Sequence, residues 1–249
     1  MDGAGPNVCV VIPTLNETDT IGELIAELSK LENIHVKTII VDDGSTDGTL
    51  EIVEATSWWD DDVHLINRKR KLGLGTAIRA GIMRALEFDP PPDYIVTMDG
   101  DLSHDPQAIP LLVDMCDGES VIIGSRYVEG GEIRGWNASR HIISRGANIV
   151  ARVFGRIPAR DCTSGFRCYG VDLKRAIAPD LNASGYDIQI EVLSEAARRG
   201  FRIGEVPIVF RDRENGDSKL DVTQILKYAM TSFGLFMHSY SKKLAAAHR

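Results

Sequence analysis

The chain has 249 residues, 43% hydrophobic and 26% charged, enough for one large domain or two small ones with a sizeable core. Asp and Glu outnumber Lys and Arg by 36 to 28, a formal net charge of −8, which argues against a nucleic-acid-binding protein. No uncharged apolar run reaches the ~20 residues of a membrane-spanning helix, so the chain is not expected to be integral to a membrane.

Val8 to Ile12 reads as an apolar strand halted by Pro13. Asn16-Glu17-Thr18-Asp19 then supplies helix-start chemistry, and Ile21, Leu24, Ile25 and Leu28 recur at helical spacing. Val36 to Val41 is a second strand, running into Asp42-Asp43-Gly44-Ser45 and a helix near Thr49–Ala55. Val63 to Asn67 is a third, followed by a helix from about Leu74 to Phe88. Tyr94 to Met98 is a fourth, running into Asp99-Gly100-Asp101, and Val121 to Gly124 a fifth. Alternating strands and helices predict a parallel α/β sheet, whose ligands bind beyond the carboxyl ends of the strands. Those ends carry Pro13, Asp42-Asp43, Asp99–Asp101 and Arg126.

Two carboxylates at i and i+2 after a buried strand, with glycine between them, can converge on one hard cation such as Mg²⁺ or Mn²⁺. Asp60-Asp61-Asp62 offers the same spacing on what reads as a solvated turn, so spacing alone does not decide. The Asp42-Asp43-Gly44-Ser45 turn is equally ambiguous: it suits a simple turn and helix cap, or a carboxylate that binds a ribose or a base edge. A dinucleotide-binding fold is disfavoured. Gly73-Leu74-Gly75-Thr76-Ala77-Ile78 lacks the third glycine of that fingerprint and follows the third strand, not the first, and there is no P-loop. Cys9, Cys116, Cys162 and Cys168 form no zinc-like spacing, and Met1–Pro6 is no signal peptide, so a reduced, cytosolic chain is expected.

Charge is unevenly spread. Ile133 to Arg160 contains no acid, yet carries Arg134, Arg140, Arg145, Arg152, Arg156 and Arg160, which implies a specific anionic partner. Within it, Ile142, Ile143, Ala147, Val150, Val153 and Phe154 give an apolar face to a basic helix from Arg140 to Phe154. Such a helix lies on a membrane surface or packs on the sheet with solvated arginines. Asp161 to Arg167 reads as a loop and strand whose charges could form a structural pair. Asp187 and Glu191, one helical turn apart, read as an exposed or structural pair. His104 and His141 lack partners at ligand spacing and read as site-adjacent or capping residues. The loop from Arg211 to Lys219 reads as a solvated, mobile lid. Beyond it Leu226, Met230, Phe233, Met237 and Tyr240 mark an amphipathic tail helix that docks on its own core, on a bilayer or on a small membrane-anchored subunit.

Val10-Val11-Ile12-Pro13-Thr14, Asp42-Asp43-Gly44-Ser45 and Asp99-Gly100-Asp101 together resemble the family-2 glycosyltransferases, inverting enzymes of GT-A fold that use nucleotide-sugar donors. Met98-Asp99-Gly100-Asp101-Leu102-Ser103-His104, Gly124-Ser125-Arg126-Tyr127, Ile142-Ile143-Ser144-Arg145-Gly146-Ala147-Asn148 and Gly216-Asp217-Ser218-Lys219-Leu220 narrow the resemblance to the dolichyl-phosphate mannosyltransferases. It implies a GT-A domain over residues 8–220, with a mostly parallel sheet covered by helices on both faces, and a helical tail over 221–249. Pro13, Leu15, Glu17, Val41 and Asp43 would hold the nucleoside half of the donor. Asp99, Gly100, Asp101 and Ser103 would form the metal and diphosphate site, with Asp99, Asp101 and Ser103 as ligands of Mg²⁺ or Mn²⁺. Arg126, Arg140 and Ser144 would receive the acceptor phosphate, and Arg213 and Lys219 would clamp phosphates. Leu15 stands where the family often has Tyr, and Ser103 where some members have Gln.

The implied reaction is transfer of mannose from GDP-mannose to dolichyl or another polyprenyl phosphate, with inversion. Its implied place is the cytosolic face of a membrane, the endoplasmic reticulum in a eukaryote or the plasma membrane in a prokaryote. The alternatives are another donor such as UDP-glucose with the same lipid class, and a non-catalytic nucleotide-sugar sensor at membranes.

Overall fold

Nine strands and seven helices are described in a computed structural model covering residues 5–56 and 62–212. The first half alternates strictly: β1 (Asn7–Thr14), α1 (Ile21–Leu28), β2 (His35–Asp42), α2 (Thr49–Glu54), β3 (Val63–Asn67), α3 (Leu74–Leu86), β4 (Tyr94–Thr97), α4 (Ile109–Met115) and β5 (Ser120–Ser125). The second half runs β6 (Glu132–Arg134), α5 (Ala138–Gly155), β7 (Arg167–Gly170), α6 (Val171–Ile177), α7 (Ile188–Arg199), β8 (Arg202–Pro207) and β9 (Val209–Arg211).

Seven strands form one sheet in the order β3-β2-β1-β4-β7-β5-β8. It is mostly parallel, as the resemblance implies, with one strand reversed: β7 runs antiparallel to both β4 and β5. The cause is chain direction. The segment after α5 lies against the carboxyl end of β5, where the Arg126 N–H donates to Asp161 (3.1 Å). From that edge the chain can enter the sheet only in the reverse sense. β6 and β9 pair in parallel as a separate two-stranded ribbon.

Alternating strand residues serve two cores. Cys9 and Val11 of β1 face one with Ile78 and Ile82 of α3 and Ile190 and Leu193 of α7, whereas Val8, Val10 and Ile12 face the other with α1 and α4. The amphipathic period read for α1 is the one that packs, since Ile21, Leu24, Ile25 and Leu28 are all buried. Gly81 lets α3 lie on the sheet: a Cβ there would sit 2.3 Å from Val11 Cγ1. The expected tail helix over 221–249, the 213–220 end of the expected domain, and Arg213 and Lys219 lie outside the described residues. Among the described residues no helix is long and apolar enough to cross a membrane.

Candidate active site

The carboxyl edge of the sheet is assembled from loops that bond to one another. Asn16, with φ 56°, turns the chain after β1 so that its Oδ1 accepts from the Thr46 N–H (3.0 Å). In return the Asn16 N–H donates to Ser45 Oγ (2.9 Å) and the Glu17 N–H to Thr49 Oγ1 (3.0 Å). Asp42 is fully buried. One oxygen accepts from the N–H groups of Gly44 and Ser45 (both 2.9 Å), and the other from the hydroxyls of Ser45 and Thr14. Asp43, also buried, accepts from the N–H groups of Leu72 (2.9 Å) and Gly73 (2.8 Å) and pairs with Arg68 at 3.3 Å. These two carboxylates shape the loops around them.

A cleft of about 490 Å³ opens between these loops and the end of β4. Pro13, Leu15, Glu17, Asp43, Asp99 and Gly100 all line it, so most of the residues expected around a nucleotide donor do meet there. Val41 does not line it. Its side chain is wholly buried against α3, because β2 alternates and Val41 points into the sheet's interior. The opposite wall comes from Lys71, Leu72, Gly73, Leu74, Ser184 and Tyr186, none of which sequence reasoning singled out as a site residue.

The Asp99-Gly100-Asp101 turn is tight for stated reasons. A Cβ on Gly100 would press Thr14 Cγ2 (3.2 Å), and its carbonyl accepts from Thr20 Oγ1 (2.8 Å). Leu102 takes φ 57°, closing an Asx turn in which the Ser103 N–H donates to Asp101 Oδ1 (3.1 Å). Unlike Asp42, Asp99 leaves 39% of its side chain exposed, at the cleft. Ser103 Oγ is buried with no hydrogen-bond partner among the described residues. Two carboxylates and an unsatisfied hydroxyl form a hard-oxygen set suited to Mg²⁺ or Mn²⁺. Among the described residues no group of three or more His, Cys, Asp or Glu could hold a metal, so further ligands would be substrate oxygens and water.

Behind this turn His104 is buried between the rings of Phe166 (5.1 Å, stacked) and Phe210 (5.5 Å, edge-on). Burial holds its pKa below the usual histidine range, although Asp99 and Asp101 pull the other way. The Asp99 N–H points at its Nδ1 (3.4 Å), which agrees with a neutral ring. It is site-adjacent, as expected, while His141 packs edge-on against Trp136.

Arg126 leaves the end of β5 and grips Asp161 with two parallel bonds, Nε–Oδ2 and Nη2–Oδ1, both 2.7 Å. Burial alone would raise the Asp161 pKa, but Arg126 and its hydrogen bonds hold the carboxyl below its usual range. Asp161 thus forms a structural pair with a residue outside its own segment, Arg126, whereas Arg167 donates to the carbonyls of Gln189 and Cys162. Arg126 Nη2 also donates to Thr163 Oγ1 (2.7 Å), which accepts from Asn148 Nδ2 (3.2 Å). Asn148 Nδ2 reaches the Ser144 carbonyl (3.0 Å), and the Tyr127 hydroxyl donates to Ser144 Oγ (2.8 Å). Arg140 pairs with Asp212 and lies 4.3 Å over the Trp136 ring, while Arg126 lies 5.4 Å from the same ring. The structure thus gathers Arg126, Arg140 and Ser144 around Trp136 and the buried face of α5. Trp136 was not anticipated, though a lone tryptophan in the acid-free stretch was its signal.

Asp187 and Glu191 are structural in part. Glu191 accepts from the N–H groups of Asn182 and Ala183, and Asp187 Oδ1 from that of Gly185 (3.0 Å).

A family model described as Glycosyl transferase family 2 matches residues 9–176. The chain belongs to that family. The undecaprenyl-phosphate mannosyltransferase of Micrococcus luteus is 37% identical over 216 residues, covering 86% of this chain and 87% of its own. The polyprenol monophosphomannose synthase of Mycolicibacterium smegmatis is 36% identical over 222 residues, covering 87% and 82%. Glucosyl-3-phosphoglycerate synthase from Mycobacterium tuberculosis, solved with Mn²⁺, uridine diphosphate and glucosyl-3-phosphoglycerate, superposes with a TM-score of 0.68 at 21% identity, covering 94% of this chain and 80% of that one. That likeness shows the fold of this glycosyltransferase: the mostly parallel sheet with helices on both faces expected of GT-A enzymes.

Proposed function

We propose that this glycosyltransferase moves mannose from GDP-mannose to a polyprenyl phosphate, dolichyl or undecaprenyl in kind, with inversion at the sugar carbon. One observation carries the reading: a cleft lined by Asp99 lies on the same sheet edge as Arg126, which meets Arg140 of the acid-free segment at the Trp136 ring. The named mannosyltransferases at 36% and 37% identity support the sugar and the lipid class.

In this reading Leu15, Glu17 and Asp43 border the nucleoside, and the Asp99–Asp101 turn meets the diphosphate. Asp99 and Asp101, with Ser103 beside them, would hold Mg²⁺ or Mn²⁺, whose charge would stabilise the departing diphosphate. An oxygen of the acceptor phosphate attacks the anomeric carbon as the bond to the diphosphate breaks. The acceptor is already anionic, so no general base is needed. The engagement of Glu191 and Asp187 with loop N–H groups agrees with that. Arg140 and Ser144 receive the acceptor phosphate, Arg140 exchanging Asp212 for it. Arg126, its fork engaged on Asp161, holds that side of the site in place. Arg213 and Lys219 are proposed to complete the phosphate contacts.

Helix α5 presents Ile142, Ile149 and Val153, 72%, 59% and 64% exposed, along one outer stripe. The helix carries Arg145 and Arg152 and no acid, which suits peripheral contact with an anionic lipid surface at the cytosolic face, where a polyprenyl phosphate headgroup would be met.

The test is transfer from labelled GDP-mannose and, in parallel, UDP-glucose to a polyprenyl phosphate with Mn²⁺ or Mg²⁺. Mannolipid from GDP-mannose alone, its anomeric configuration inverted, is expected. Glucolipid would overturn the donor, and donor binding without turnover in the presence of membranes would favour a sensor.

A further inference from the structure

The donor cleft has an aromatic side chain where the sequence signals place none. Pro13, Leu15, Leu72 and Leu74 give the cleft an apolar lining. Among the described residues lining it, Tyr186 is the one aromatic. It arrives from a different part of the chain, the segment between α6 and α7.

That segment is built to hold a fixed position. Both Glu191 oxygens accept from the Asn182 N–H (3.0 and 3.1 Å), and Oε2 also accepts from the Ala183 N–H (2.8 Å). The Ser184 carbonyl accepts from the Gly75 N–H at the start of α3 (3.0 Å). The approach is close enough to require glycine on the facing side. A Cβ on Gly73 would lie 2.3 Å from the Ser184 carbonyl oxygen, and one on Gly75 2.3 Å from that of Ala183. Gly73 also has φ 103°, and its N–H is one of the two that Asp43 holds. The Glu191-pinned segment and the Asp43-pinned loop are therefore locked together at the mouth of one cleft. A rigid platform costs little ordering entropy when a planar ligand settles on it.

We propose that Tyr186 is a donor-binding residue that supplies, from the far wall, the ring contact to the nucleobase that Leu15 cannot make. The inference rests on the nucleotide-donor reading of the cleft. It predicts a binding contact and no part in bond breaking, so loss of the ring raises KM for the donor and leaves kcat near its original value.

The experiment is calorimetric titration of GDP, GDP-mannose and, separately, UDP, with Mn²⁺ into wild type, Tyr186→Leu, Tyr186→Phe and Tyr186→Leu combined with Leu15→Tyr. Folding of each is checked by thermal melt. For whichever nucleotide the wild type binds, Tyr186→Leu is expected to weaken binding about tenfold, Tyr186→Phe to retain most of it, and Leu15→Tyr to restore part of the loss. Photolabelling of the wild type by 8-azido-GDP should mark the peptide that carries Tyr186, independently of any variant's folding. Unchanged affinity in a folded Tyr186→Leu, a loss seen with GDP-mannose and not with GDP, or label confined to other peptides would each overturn the assignment. Binding of UDP in place of GDP would refute the mannose-donor reading while the same comparison still judged Tyr186. Binding of neither would remove both.

Discussion

Two aspartate pairs follow the two strands that flank β1, and they serve opposite ends. Asp42 and Asp43, after β2, are buried and accept four backbone N–H groups between them, so their charge is converted into loop shape. Asp99 and Asp101, after β4, stand at a turn held from behind by Thr20, with Asp99 well exposed at the cleft. Local composition is nearly the same, two aspartates and a glycine, Asp42-Asp43-Gly44 against Asp99-Gly100-Asp101. Asp42 is bonded by its own turn and Asp43 by the loop before α3, whereas Asp99 is exposed at the cleft. A carboxylate surrounded by donors spends its charge on loop shape, and one exposed at a cleft can meet a cation.

That contrast can be broken by substitution. Asp101→Ala should lower transfer by about 10²–10³-fold, the scale expected when a group stabilising transition-state charge is lost. Its melting temperature should stay within a few degrees of wild type. Asp42→Ala should do the reverse, losing roughly 2–4 kcal/mol of stability, read from the urea midpoint, because buried donors lose their acceptor. If Asp42→Ala melts normally and loses only activity, the two pairs are not different in kind.

The arginine side supplies an intermediate case. Asp161→Asn removes the charge that Arg126 grips and should destabilise the fold by about 3–5 kcal/mol, leaving a buried guanidinium uncompensated. The sign of the pH effect follows from the direction of the shift. Asp161 has a depressed pKa in the folded chain, so its stabilisation is present above the ordinary carboxylate range and disappears as pH falls through the lower folded value. Wild type should therefore lose stability on acidification below about pH 4, and Asp161→Asn should lose less over the same interval.

The smallest expected effect is a gain. Lys174 is fully buried on α6 with its Nζ unpartnered among the described residues and 3.4 Å from the Tyr169 ring centroid. Burial, aided by Arg167, holds its pKa well below the usual lysine range. Because the unfolded chain binds that proton more tightly, stability should rise with pH from the folded pKa up to the ordinary lysine value. Lys174→Met should flatten that rise and lift Tm by roughly 2–4 °C per kcal/mol recovered, visible in melts across the range.

Much of this was legible in the sequence. The period of α1 and the apolar runs of β1, β2 and β4 gave the sheet edge, and glycine-linked aspartates marked its turns. The reversal of β7 was not legible, since Arg167–Gly170 is four residues long and its direction depends on where the preceding loop returns. The three-residue strands β6 and β9, which precede Trp136 and carry Phe210, are too short for any alternation to show. Within the site, the structural share of Asp43 could not be read, because its donors at Leu72 and Gly73 lie about thirty residues away in the chain. Tyr186 was hidden for the same reason, being joined to the cleft by Glu191 and two glycines and not by any local motif.

The most direct measurement is Mn²⁺ binding in the presence of GDP, followed by electron paramagnetic resonance on wild type, Asp101→Ala and Asp43→Asn. The account predicts a bound Mn²⁺ signal in wild type, its loss in Asp101→Ala, and its retention in Asp43→Asn once GDP is raised to saturation. Bound Mn²⁺ in Asp101→Ala with wild-type affinity would contradict the assignment of the β4 pair as the metal and diphosphate site.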